Sequence, residues 1–70
     1  MPQDRLIRMA NQIAGFFETQ PRADAAAEVA KHINDFWDPR MRRALAAIIA
    51  GGGQGLNPLV LRAAPAIRVP

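Results

Sequence analysis

The sequence predicts an all-α fold: a small up-down-up three-helix bundle with a short fourth C-terminal helix and an extended tail. Three observations predict it. Apolar residues recur three and four apart through most of the chain, an acidic or amide residue followed by proline twice marks a helix start, and the connections are short enough to favour antiparallel neighbours.

The first helix is placed at 4–18, where Leu6, Met9, Ala10, Ile13, Phe16 and Phe17 share one side and Arg5, Arg8, Asn11, Gln12 and Gly15 the other. Pro2 and Asp4 suit its start, and Pro21 ends it by disfavouring helical geometry in the residue before it. Pro21 also suits the first turn of a second helix, 21–37, with Ala26, Val29, Ala30, Ile33, Phe36 and Trp37 as its apolar stripe. Asp24, Glu28, Lys31, Asn34 and Asp35 form its polar side.

Asp38-Pro39 reads as the cap and first position of a third helix, 39–50, because an aspartate oxygen accepts an orphaned amide and proline lacks one to orphan. Met41, Ala44, Leu45, Ile48 and Ile49 line that helix, and Gly51-Gly52-Gly53 ends it. Asn57-Pro58 repeats the start signal for a short helix at 58–63. Residues 1–64 are then one helical domain and 65–70 an extended tail, with a core of Leu6, Ile13, Phe17, Val29, Ile33, Met41, Leu45 and Ile48.

Seventy residues allow one domain with a small core. Cysteine is absent, which removes disulfides and thiolate ligands and makes a partner chain the expected source of added stability. Neither a membrane-length apolar run nor a secretion-signal pattern is present, so a cytoplasmic location is expected. Nine basic residues against six acidic ones do not mark a nucleic-acid binder unless the charge gathers on one face.

The search for chemistry returns no catalytic, cofactor-binding or metal-ligating residue. His32 is the one histidine, without a second ligand at metal spacing, and Thr19 is the one aliphatic hydroxyl, without a base. The Gly51 to Gly55 stretch follows a helix and lacks the Lys-Ser/Thr end of a phosphate loop, so it reads as a helix stop. Asp24, Glu28 and Asp35 read as a solvated face.

Surface chemistry remains. The pairs Phe16-Phe17, Phe36-Trp37 and Ile48-Ile49 broaden their stripes beyond what three short helices easily cover. Arg40, Arg42 and Arg43 stand in the first turns of the third helix, where positive charge opposes the helix dipole, so local stability does not account for them. The expected partner-binding residues are Phe36, Trp37, Arg40, Arg42, Arg43, Met9 and Phe16, an aromatic anchor beside charge-assisted hydrogen bonds. Trp37 has a second reading, as the largest core residue.

Three blocks carry a specific resemblance: Met9-Ala10-Asn11-Gln12-Ile13; His32-Ile33 leading into Phe36-Trp37-Asp38-Pro39-Arg40-Met41-Arg42; and Gly52-Gly53-Gln54-Gly55-Leu56-Asn57-Pro58-Leu59. In order and separation they resemble the delta-subunit family of soluble NAD-dependent formate dehydrogenases, from about Asp4 to about Arg62. The Ala23 to Ala27 stretch departs from the pattern. The resemblance implies a chain within a cytoplasmic complex that oxidises formate to carbon dioxide and reduces NAD. It implies an alpha subunit with a molybdenum or tungsten pterin and iron-sulfur clusters, a beta subunit with FMN and the NAD site, and a gamma subunit with a further cluster. The delta chain itself is implied to be a cofactor-free, non-catalytic accessory subunit that binds and stabilises or helps assemble the larger ones. Two alternatives stand beside it: a transient maturation chaperone for the pterin-bearing subunit, and a helical nucleic-acid binder using Arg40, Arg42 and Arg43, which a steep salt dependence of binding would reveal.

Overall fold

Helix starts in this chain are set by side chains that accept an amide left unpaired in the first turn. The computed structural model describes residues 3–20 and 24–69. Helix α1 spans Gln3–Glu18, α2 Ala25–Phe36, α3 Pro39–Ala50 and α4 Pro58–Ala63, and a single 3-10 turn, Ala64–Ala66, follows. The all-helical expectation holds for these residues, with one boundary displaced by more than a single residue. Helix α2 opens at Ala25 because Asp24, in a non-helical conformation, accepts the Ala27 amide at 3.0 Å. The starts assigned to Pro2 and Pro21 lie outside the described residues.

The two cap-and-proline signals act as expected. Asp38 Oδ1 accepts the Met41 amide at 2.8 Å with Pro39 at the first position, and Asn57 Oδ1 accepts the Leu59 amide at 2.8 Å ahead of Pro58. Replacing Asp38 with Ala is expected to cost about 0.5–2 kcal/mol. A thermal melt of Asp38→Ala superimposable on the parent would show that the cap contributes nothing. At the other end of α3, the Gly52 amide donates to Ile49 and the Gly53 amide to Ile48, closing the helix in a Schellman motif. Gly52 takes φ +116° there, a region L side chains rarely adopt.

The core is centred on α4. Leu59, Val60 and Ala63 are buried together with Leu6, Ala10 and Ala14 of α1, Val29, Ala30 and Ile33 of α2, Trp37 after it, Leu45 and Ile48 of α3, and Leu56 and Ile67 from the connecting and closing segments. Helix α4 packs on both α1 and α2, whereas α2 and α3 have little direct contact. The short fourth helix, which contributes no residue to the core expected from sequence, is therefore the centre of the packing.

Small residues explain which stripe positions go inward. Ala10 and Ala14 are fully buried, so α1 approaches its neighbours closely there. The bulkier Ile13 and Phe17, expected in the core, are carried to its flank and only partly buried; Met41 likewise packs at the edge.

Two asparagines bind the connecting backbone. Asn11 Nδ2 donates to the Gly55 carbonyl at 2.8 Å while its Oδ1 accepts the Asn57 amide at 2.7 Å. Asn34 does the same two elements later, donating to the Ala66 carbonyl at 3.0 Å and accepting the Arg68 amide at 2.8 Å. Each side chain thus takes the carbonyl of one residue and the amide of the second residue after it, as a neighbouring strand would. Arg42 completes the second clamp by donating from Nη1 to the Arg68 carbonyl at 3.0 Å. Of the extended tail expected at 65–70, residues 65 and 66 belong instead to the 3-10 turn, and 67–69 are docked: Ile67 is extended and buried, and Asn34 of α2 and Arg42 of α3 hold Arg68 from two helices.

Candidate partner-binding surface

Ala10, Ala14, Val29 and Ile33 are buried in the core, and another side of the α1–α2 pair carries exposed rings. Phe17 lies edge-on to Phe16 with ring centroids 5.1 Å apart, and its ring stands 6.2 Å from His32. The His32 ring stands 4.7 Å from Phe36 at a tilt of 37°. Four rings therefore run in sequence across the two helices. The ends of the row are open: Phe16 is 59% exposed and Phe36 73% exposed.

Beside the rings runs an open groove of about 490 Å³, lined by Met9, Gln12, Ile13, Phe16, Phe17, His32 and Trp37. Phe17, late in α1, meets His32, while Met9, in mid-helix, shares the groove with Trp37 just past the end of α2. That is the pairing order of helices running in opposite directions.

The structure brings together four of the seven partner-binding residues expected from sequence, Met9, Phe16, Phe36 and Trp37, and divides their roles. Trp37 is 6% exposed: one edge reaches the groove and the rest is packed in the core. Its neighbour Phe36 is the outward aromatic. Four further residues of the row and groove, Gln12, Ile13, Phe17 and His32, are core or polar-side positions by sequence and join this surface only in the structure. The signal for them was the helical spacing from Met9 to Phe16 opposite that from His32 to Phe36, which only the antiparallel pairing turns into a single face.

The arginines separate as well. Arg40 and Arg43 are exposed and line a shallow concavity with Asp38 and Pro39. Arg42 is half-buried and turned to the Arg68 carbonyl, so it is engaged within the chain. The ion pair found among the described residues, Lys31–Asp35 at 3.1 Å, involves neither Arg40 nor Arg43. Among those residues, no three His, Asp or Glu side chains gather as a metal site requires, and no helix is long and apolar enough to cross a membrane.

What fold and surface define together is a small helical domain with an exposed aromatic face and an adjoining cationic corner. Residues 5–64 match the family model of the NADH-dependent formate dehydrogenase delta subunit, FdsD. The chain belongs to that family. No curated protein matches it. The matched span contains all three sequence blocks, and the structure joins the first to the third, since Asn11 holds the backbone of Gly55 and Asn57.

Proposed function

We propose that this chain is a non-catalytic accessory subunit that binds the larger subunits of an NAD-dependent formate dehydrogenase and stabilises or helps assemble them. The observation that carries this reading is the row Phe16, Phe17, His32 and Phe36, whose two ends, Phe16 and Phe36, are the most exposed of the large apolar side chains among the described residues, ahead of Val69 and Leu61. Exposed aromatics of this size, beside arginines, have the composition of an interface hot spot. Cofactors belong, in this reading, to the larger subunits: the molybdenum or tungsten pterin, iron-sulfur clusters, FMN and the NAD site. This chain contributes contact area.

Copurification tests the proposal. A tagged full-length chain expressed with the other formate dehydrogenase subunits is expected to purify with mature, active enzyme at fixed stoichiometry. The double variant Phe16→Ser/Phe36→Ser is expected to lower the recovered large subunits at least about tenfold, because truncating hot-spot aromatics costs on the order of 2 kcal/mol or more each. Its isolated fold is expected to change little, since both side chains are largely in solvent. Association with immature, inactive alpha subunit alone would make the chain a maturation chaperone instead. Undiminished recovery of active enzyme with the double variant would remove the aromatic face from the interface.

A further inference from the structure

We infer that the groove between α1 and α2 receives an amphipathic helix of a larger subunit, acidic at the end lying over the Asp38-Pro39 corner. The inference rests on the accessory-subunit reading and specifies its contact.

The first ground is the arrangement of helices around the pair. Asn11 and Phe16 are about 140° apart around α1, and His32 and Asn34 about 160° apart around α2, at about 100° per residue. Asn11 and Asn34 bind the backbone on either side of α4, so the groove lies on the opposite side of the α1–α2 pair from it. Helix α4 already shows what such a pair accepts, a helix laid against both members. A second helix on the bare side would meet an apolar, ring-lined floor and complete a symmetric layer.

The second ground is the distribution of charge along the groove. At the Met9–Trp37 end stand Arg5, only about 40° around α1 from Met9 and so nearer the groove than its assignment to the polar side implies, and Arg40 and Arg43 beyond the corner. Covalent reach places Arg40 within about 14 Å of Phe36, four residues away. Asp38, which accepts the Met41 amide, shares that end, and its one negative charge leaves Arg5, Arg40 and Arg43 with an excess of positive charge there. At the Phe17–His32 end the charge on the groove side of α2 is Glu28, one turn before His32. A groove with an excess of positive charge at one end selects an occupant that is acidic there, which fixes its direction.

Photo-crosslinking in the assembled complex tests this. A benzophenone amino acid is placed at Phe16 or at Phe36 of the full-length chain, coexpressed with the other subunits, and the crosslinked peptides are identified by mass spectrometry. Both positions are expected to label one helical segment of a larger subunit, with Asp or Glu nearest the Phe36 probe. In parallel, Arg40→Glu/Arg43→Glu is expected to weaken recovery of the complex at least about tenfold, with recovery restored when the acidic residues of the labelled segment are changed to Lys. Labelling of a second copy, of a strand or loop, or of two unrelated segments overturns the inference, as does failure of the reversed pair to recover. Fixed-stoichiometry copurification without such labels overturns the groove assignment alone. Absence of copurification overturns the accessory-subunit reading beneath it.

Discussion

Trp37→Ala is expected to leave the isolated chain largely unfolded at 25 °C. The indole is 6% exposed and closes the core between α2 and the Asp38 cap. Truncating a buried tryptophan costs about 3–5 kcal/mol, and a single core in a domain this small rarely supplies more than about 3–5 kcal/mol of net stability. Far-ultraviolet circular dichroism and a urea titration measure it: loss of most helical signal without denaturant is the expected result. A variant melting within a few degrees of the parent would show that the indole is a surface anchor after all. Partner binding shifts the balance by mass action, so Trp37→Ala is expected to regain helix when the larger subunits are in excess. Loss of binding by a Trp37 variant consequently reports folding, whereas loss by a Phe36 variant reports contact.

That division was not legible in the sequence. Phe36 and Trp37 sit about 100° apart on a helical wheel, and periodicity places both at the margin of one stripe without saying which margin meets a neighbour. The answer depends on α4 and the closing segment, contacts made from more than twenty residues away. The caps were legible because they are local: Asp38 and Asn57 act on amides two or three residues ahead. Arg42 carries a signal of its own in helical spacing. It lies about 160° around α3 from Arg40, whereas Arg43 lies only about 60° away, so three arginines adjacent in sequence were never one patch. Its partner, the Arg68 carbonyl, belongs to a segment whose docking no periodicity announces.

Asn11 is the same lesson in its sharpest form, since helical spacing assigns it to the polar side of α1 and the structure makes it the bond between two distant sequence blocks. Asn11→Ala is expected to destabilise the chain by roughly 1–3 kcal/mol, chiefly by leaving the half-buried Asn57 amide without its acceptor. The effect should be regional before it is global. Asn57 caps α4, and α4 carries the centre of the core, so native-state hydrogen exchange is expected to show amides of Leu59 and Val60 losing protection together with the Gly53–Leu56 turn. Asn11→Asp separates the two bonds of the clamp: it keeps an acceptor for the Asn57 amide but sets a carboxylate against the Gly55 carbonyl. If the acceptor bond dominates, Asn11→Asp lies between parent and Ala in a urea titration. If Asp is as damaging as Ala, the bond to Gly55 carries the clamp; and if neither variant moves the midpoint, the joining of the first and third blocks rests on the packing of Ala10, Ala14 and Leu59 instead.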